Sequence, residues 1–280
     1  QSRPPLAKTG RGLTERSSRK ACSDADTHDL VARVIRNVVA GVAPNAKTGR
    51  PRVSVANTID AIDFVLKTGM PWRHLQETRC TQECHYTTIH KRFCSWVQLG
   101  VCRRVHKTLL RLDASKRARD QRHYCLDSTL IKNQVGQDCL GRNPTDRGRR
   151  GTKLSALVDH RGMPVALAVF SANTSDYRTV EATFARADCP IRPRRVIYAD
   201  KGYDSAKIRE FLRSQQLRPN VARRRTQTPR GDVSNRACVE HLFGWLDKSR
   251  RLLMRFDTYV ETYLEFTYLA CCHLLGRRVA

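Results

Sequence analysis

Arg194-Arg195-Val196-Ile197-Tyr198-Ala199-Asp200-Lys201-Gly202-Tyr203-Asp204-Ser205 is the stretch on which the fold turns. Its apolar, β-rich run from Val196 to Ala199 stops at an acid and a glycine. A helical pattern then opens at Asp204-Ser205 with Ile208, Phe211 and Leu212 on one side. The grammar is strand, tight turn, helix. In an α/β sheet such a turn lies at the carboxyl end of the strand, where ligands gather, so Asp200 projects into a site; the competing reading is a turn former or helix cap. The neighbouring segments decide between the two.

Working upstream, residues 124–131 read as a strand in which Asp127 is embedded among Cys125, Leu126, Thr129, Leu130 and Ile131. A carboxylate in that setting is costly unless it is paired or metal-bound. Residues 154–158 and 163–170 are two further strands, joined by Asp159-His160-Arg161-Gly162, whose leading Asp and closing Gly suit a type I turn. Ser175-Asp176 starts a helix carrying Val180, Phe184 and Ala187, which leads into the strand ending at Asp200. Three strands, a helix, a strand and a helix describe an α/β sheet with a crossover connection. Residues 217–222 add a short strand, 223–232 are a basic Pro/Gly loop, and helices over 235–254 and 260–275 close the chain.

Before residue 113 the periodicity is helical. Residues 1–26 are basic, polar and poor in apolar side chains, a composition that predicts a mobile tail. Leu30, Val31, Val34, Ile35 and Val38 repeat at helical spacing up to Gly41. A basic loop at 47–52 reads as a solvated linker or a minor-groove arm. Ser54 caps a helix striped by Val55, Ile59, Ile62 and Leu66. Another helix from Thr87 turns Ile89, Phe93, Trp96 and Val97 inward and His90, Lys91, Arg92 and Ser95 outward, and a last one carries Val101, Val105, Leu109 and Leu112. Short helices with one basic face predict either a helix-turn-helix module over 27–112, with 87–99 as recognition helix, or an ordinary helical bundle.

Charge limits the partners. With 52 Lys and Arg against 26 Asp and Glu, the net charge is +26, and so large an excess calls for a polyanion, of which nucleic acid is the commonest. The basic residues are scattered instead of crowding beside an apolar helix, which disfavours a membrane partner. No apolar run reaches the length of a membrane span. Eleven cysteines without an apolar leader predict free thiols in a reducing, intracellular compartment: the cytoplasm or nucleoid if the protein is bacterial, the nucleus if it is eukaryotic or viral. Cys80, Cys84, Cys94 and Cys102 have poor spacing for zinc. Four Arg and one Lys in the glycine-rich stretch 141–153, among them Arg147, Arg149, Arg150 and Lys153, favour contact with phosphates.

A third acid completes a pattern. Glu240 stands one helical turn after Arg236 in Arg236-Ala237-Cys238-Val239-Glu240-His241-Leu242-Phe243-Gly244-Trp245-Leu246. One acid inside the first strand, one ending the fourth and one on a late helix are separated by 200 − 127 = 73 and 240 − 200 = 40 residues. Together with Gly49-Arg50-Pro51, Leu66-Lys67-Thr68-Gly69-Met70-Pro71-Trp72-Arg73, Leu126-Asp127-Ser128-Thr129, Asn173-Thr174-Ser175-Asp176 and Ala199-Asp200-Lys201-Gly202-Tyr203-Asp204, the chain resembles a DDE transposase of the bacterial insertion-sequence type allied to the PIF/Harbinger superfamily. The pieces run in order over residues 47–275.

The resemblance implies an RNase H-like catalytic core over 123–280 behind a helical, helix-turn-helix-like domain that binds element ends. It implies Asp127, Asp200 and Glu240 as a triad holding two Mg2+ ions, with Mn2+ as substitute. Double-stranded DNA is then the partner, as terminal inverted repeats and as target, gripped by His90, Lys91, Arg92, Arg147, Arg149, Arg150, Lys153, Lys201, Arg236, Lys248 and Arg251, by a homodimer assembled on DNA. Where the family often carries a Tyr and a Lys around the glutamate, this chain has Val233 and Asp247, with Lys248 one step later. The competing functions are a transposase descendant kept as a DNA binder and an RNase H-like nuclease without strand joining.

Overall fold

The alternation read at residues 124–131 builds the central strand, β1 (His123–Asn133). In the computed structural model, which describes residues 24–43, 52–81, 84–114, 121–144, 146–222 and 233–279, β1 serves two cores at once. Tyr124 and Leu126 enter one apolar cluster, Cys125 and Ile131 another, as a period of two requires of a strand covered on both faces.

Along one edge of β1 runs β3 (Arg150–Asp159), antiparallel, with Asp127 opposite Ala156, and β4 (Pro164–Ser171) pairs antiparallel with the far edge of β3. Along the other edge lies β5 (Val196–Ala199), parallel, followed by β6 (Arg218–Val221), also parallel. The order is therefore β4-β3-β1-β5-β6, with β2 (Gly141–Arg142) pairing β3 and β7 (Met254–Arg255) pairing β1. Three antiparallel strands continued by two parallel ones form the RNase H-like sheet that the resemblance implies.

The turn between β3 and β4 is the expected one. Gly162 donates its N–H to the Asp159 carbonyl at 2.9 Å, and the Asp159 carboxylate accepts from the N–H groups of Arg161 and Met163 at 3.0 and 2.9 Å. Gly162 has φ 76°, and a Cβ there would come within 2.9 Å of the Cys238 carbonyl oxygen. Glycine thus supplies both the left-handed backbone and the room for a helix to close over the turn.

Helices cover both faces. On one side α5 (Asp176–Ala185) and α6 (Ala206–Ser214) bury Val180, Phe184, Ile208 and Leu212 against Tyr124 and Leu126. On the other, α7 (Val233–Leu246) lays Val239, Leu242 and Leu246 against Cys125, Leu154 and Ala156. The same core continues into α9 (Val260–Val279) and the four leading helices α1 (Asp24–Val42), α2 (Val55–Thr68), α3 (Tyr86–Leu99) and α4 (Val101–Leu112). Among these, α9 packs most extensively on α4 and α1.

Three expectations change. The helix read over 235–254 ends at Leu246; a turn at 247–249, a short α8 (Arg250–Leu253) and β7 follow. The chain is drawn out there because Arg255 is fully buried, its guanidinium donating to Asp138, to the carbonyls of Asp257 and Thr258, and to Thr152 Oγ1. A buried guanidinium needs that many acceptors, and periodicity does not reveal them. The basic stretch 141–153 is a hairpin between β2 and β3, closed by an Asn143 N–H bond to the Arg149 carbonyl at 2.7 Å. Helix α1 begins at Asp24, inside the stretch read as tail; residues 1–23, most of the 47–52 loop and the 223–232 loop lie outside the described residues.

Candidate active site

The parallel register sets two acids side by side. Leu126 pairs with Ala199, so the next residues on the two strands are Asp127 and Asp200, about 4.8 Å apart across a sheet. Asp200 opens the single turn Lys201–Tyr203, yet its side chain makes no capping hydrogen bond. Its Oδ1 instead accepts from one Arg236 nitrogen at 3.2 Å, while the other Arg236 nitrogen lies 3.4 Å from Asp127 Oδ2. One guanidinium spans both acids, which removes the reading of Asp200 as a helix cap.

Asp127 also accepts from the Ser128 N–H at 2.8 Å. Burial nevertheless holds its carboxyl above the usual carboxylate range; the Ser128 N–H and Arg236 pull down, and the like charge of Asp200 adds to the rise. Glu240 is exposed and sits one turn beyond Arg236 on α7, about 6 Å along the helix axis. The structure thus brings Asp127 and Asp200 to one guanidinium, while Glu240 lies further along the helix that carries it and the three carboxylates do not meet within 4.8 Å of one another.

A fourth acid adjoins them. Asp176 Oδ1 accepts from Ser128 Oγ at 2.9 Å and from Lys153 Nζ at 2.7 Å, and a Cβ on Gly202 would stand 2.6 Å from Asp176 Oδ2. Tyr203 is buried, its phenol pushed well up by burial and then by Asp127 and Asp176. The sequence reading took Asp176 only as a helix start. The overlooked signal is a polar run directly after an edge strand, two strands from an acid followed by a glycine.

The basic residues divide. Lys91, Arg147, Arg149, Arg150, Lys201 and Lys248 are exposed. Lys153 is not available on the surface: it is 7% exposed, with its ammonium on Asp176 and on the Thr174 carbonyl at 2.6 Å. Arg251 is likewise buried, paired with Asp257 at 2.6 Å and stacked over Phe266. Nor do all of the α3 candidates face outward. Arg92 turns back to the Val53 carbonyl and stacks on Trp96, and the His90 ring lies 5.0 Å from that of Trp72. Lys153, Arg251 and Arg92 each have a local acceptor or ring for their charge.

Comparison with known proteins decides the family. A profile described as "Transposase DDE domain" matches residues 118–275, and one described as "Putative transposase of IS4/5 family" matches residues 33–106. The chain belongs to the DDE transposase family. It is 33% identical over 180 residues to the "Putative transposase for insertion sequence element IS402" of Burkholderia cepacia, a match covering 59% of this chain and 83% of that one. Two solved structures bear a distant likeness, each at 15% identity and a TM-score of 0.34. A pre-cleavage Mos1 transpososome covers 84% of this chain and 80% of its own, and a Mos1 mariner paired end complex with Mn covers 92% and 91%. The protein is thus a DNA transposase, an enzyme of DNA cleavage and strand transfer whose family depends on divalent metal. No described helix is long and apolar enough to cross a membrane.

Proposed function

We propose that Asp127, Asp200 and Glu240 are the catalytic, metal-binding triad of this transposase and that the working ions are two Mg2+, for which Mn2+ substitutes. The observation that supports it most is the Arg236 guanidinium spanning Asp127 and Asp200 at 3.4 and 3.2 Å. Those contacts are long for charge-assisted hydrogen bonds, which run about 2.7–2.9 Å, so the arginine neutralises the pair without binding it tightly. Asp127, central in the sheet, Asp200 and Glu240 would hold the ions. The chemistry such ions would supply is activation of an attacking oxygen and neutralisation of the charge on the leaving oxygen. Arg236 would have to release the two acids for metal to bind, and it would then face the strand to be cut.

Water is the first nucleophile and the freed 3′-hydroxyl the second, with no covalent protein intermediate. The exposed Lys91, Arg147, Arg149, Arg150, Lys201 and Lys248 lie along phosphates. The substrates are terminal inverted repeats and target DNA, the acting form is a homodimer assembled on them, and the setting is intracellular. Helices within 27–112 bind element ends while 123–280 carries the chemistry.

Labelled DNA bearing the terminal repeats, incubated with the protein in Mg2+, should yield nicks and joined products. Nicks alone support a nuclease, and shifted but uncut DNA a retained binder. Asp200→Asn should keep binding and lose cutting; cleavage near the wild-type rate rejects the triad.

A further inference from the structure

A second set of ligand atoms lies between the sheet and α7. His123 and Cys125 are two residues apart on β1 and so share a face, and Cys238 descends on them from α7. A ring nitrogen and two sulfurs lie within 4.8 Å of one another, and among the described residues this is the group of three His, Cys, Asp or Glu that meets so closely. We propose that His123, Cys125 and Cys238 form a structural zinc site, chemically separate from the carboxylates used in catalysis.

The donors fit. Zinc takes sulfur at about 2.3 Å and imidazole nitrogen at about 2.0–2.1 Å, which places tetrahedral ligands roughly 3.4–3.8 Å from one another. Two sulfurs and an imidazole select a borderline-soft cation, whereas Mg2+ takes oxygen and keeps its water. The neighbours already hold the frame. The His123 ring is edge-on to Tyr198 at 5.1 Å, and Gly162 lets the Cys238 backbone approach the β3–β4 turn. The His160 ring lies 5.9 Å from that of His123, and it or a water would complete a four-coordinate site. On binding, each cysteine releases its proton to solvent, so one Zn2+ replaces two H+ and the site's net charge is unchanged.

The location gives the ion a use. Cys125 is two residues before Asp127, and Cys238 lies midway between Arg236 and Glu240. Zinc would pin the helix that carries the third acid to the strand that carries the first, fixing a separation that otherwise rests on side-chain packing.

The test uses the full chain, stripped with a thiol-preferring chelator under reducing conditions and titrated with Co2+. A thiolate-to-cobalt charge-transfer band should saturate at about one equivalent, be displaced by Zn2+ and ignore millimolar Mg2+. Cys238→Ser should abolish the band, His123→Ala should weaken binding by about tenfold or more, and Asp200→Asn and Cys80→Ser should leave it intact. Circular dichroism checks that each variant is folded. The proposal fails if folded wild-type protein shows no such band, if the band survives in Cys125→Ser and Cys238→Ser, or if the two thiols are recovered as a disulfide from reducing buffer.

Discussion

Asp127 carries a cost that the proposed metal role would explain. Burial raises its carboxyl pKa, so the folded chain holds that proton more tightly than the unfolded chain. The sign follows: the contribution favours folding at low pH and is lost as pH rises through the folded value. Asp127→Asn should therefore raise the melting temperature of the metal-free protein at pH 8, by about 2 °C, while abolishing cleavage. Metal binding has the opposite sense, because only the ionised acid binds. Mn2+ affinity, followed by calorimetry, should fall with decreasing pH at values above the ordinary carboxylate range. Arg236→Gln should tighten Mn2+ at pH 8 by removing a competitor and move that fall to higher pH; an unmoved profile would contradict the bridging role. Both acids were legible in the sequence because an acid ending or interrupting an apolar strand is an anomaly. Lys153 and Arg251 turn inward to Asp176 and Asp257, which sequence does not reveal because it records a charge but not the partner that satisfies it. Lys153→Ala should accordingly cost about 2 kcal/mol in denaturant melts, since it strips a donor from Asp176.

Among the elements, α4 has an unusual start. Its Cys102 N–H donates to Glu265 Oε2 at 2.7 Å, so a carboxylate from α9 sits at the helix amino end. Burial lifts the Glu265 pKa to about 7, against the pull of that N–H, of Cys102 and of Arg103. With the folded value above the unfolded one, stability is full below the ordinary glutamate range and declines as pH climbs toward 7 and beyond. Glu265→Gln keeps an oxygen acceptor and has no proton to lose. It should stabilise at pH 8 by an amount on the order of 1–3 kcal/mol and change little at pH 5, as urea melts at the two pH values would show. Apart from that start, such elements are largely readable: β1, β5 and α4 follow plain periodicity, and α2 adds the Ser54 cap. The break after Leu246 was not, because what draws the chain out is Arg255 reaching acceptors far off in sequence at Asp138 and Thr152.

At the scale of the molecule, the +26 net charge and the DNA substrate set a further expectation. Binding should weaken steeply with salt, and replacing the exposed Lys248 by Ala should reduce the log–log slope by about 0.9. Lys153→Ala should leave that slope alone, because its ammonium already faces Asp176. Binding isotherms between low and moderate salt separate the two; equal slopes for wild type and Lys248→Ala would remove Lys248 from the DNA path.

The sequence divides the chain near residue 113, but the hydrophobic core does not. Phe93 of α3 packs tilted against Phe266 of α9 at 4.5 Å, Tyr268 meets His106 of α4 at 5.3 Å, and a Cβ on Gly276 would touch Thr27 and Val31 of α1 at 3.0 Å. The last helix is buried on nearly all sides through its middle because leading helices cover the side that the sheet leaves open. Its sequence shows that it is buried without showing against what. A chain cut to residues 113–280 should therefore expose that face and lose side-chain order while keeping much of its helical signal, giving strong far-ultraviolet but weak near-ultraviolet dichroism and binding of a hydrophobic dye. The full chain should unfold in one transition by both probes. A truncated protein that is monomeric, dye-free and cooperative in its melt would show that the catalytic half folds alone, and that the leading helices are an appendage docked on a finished core.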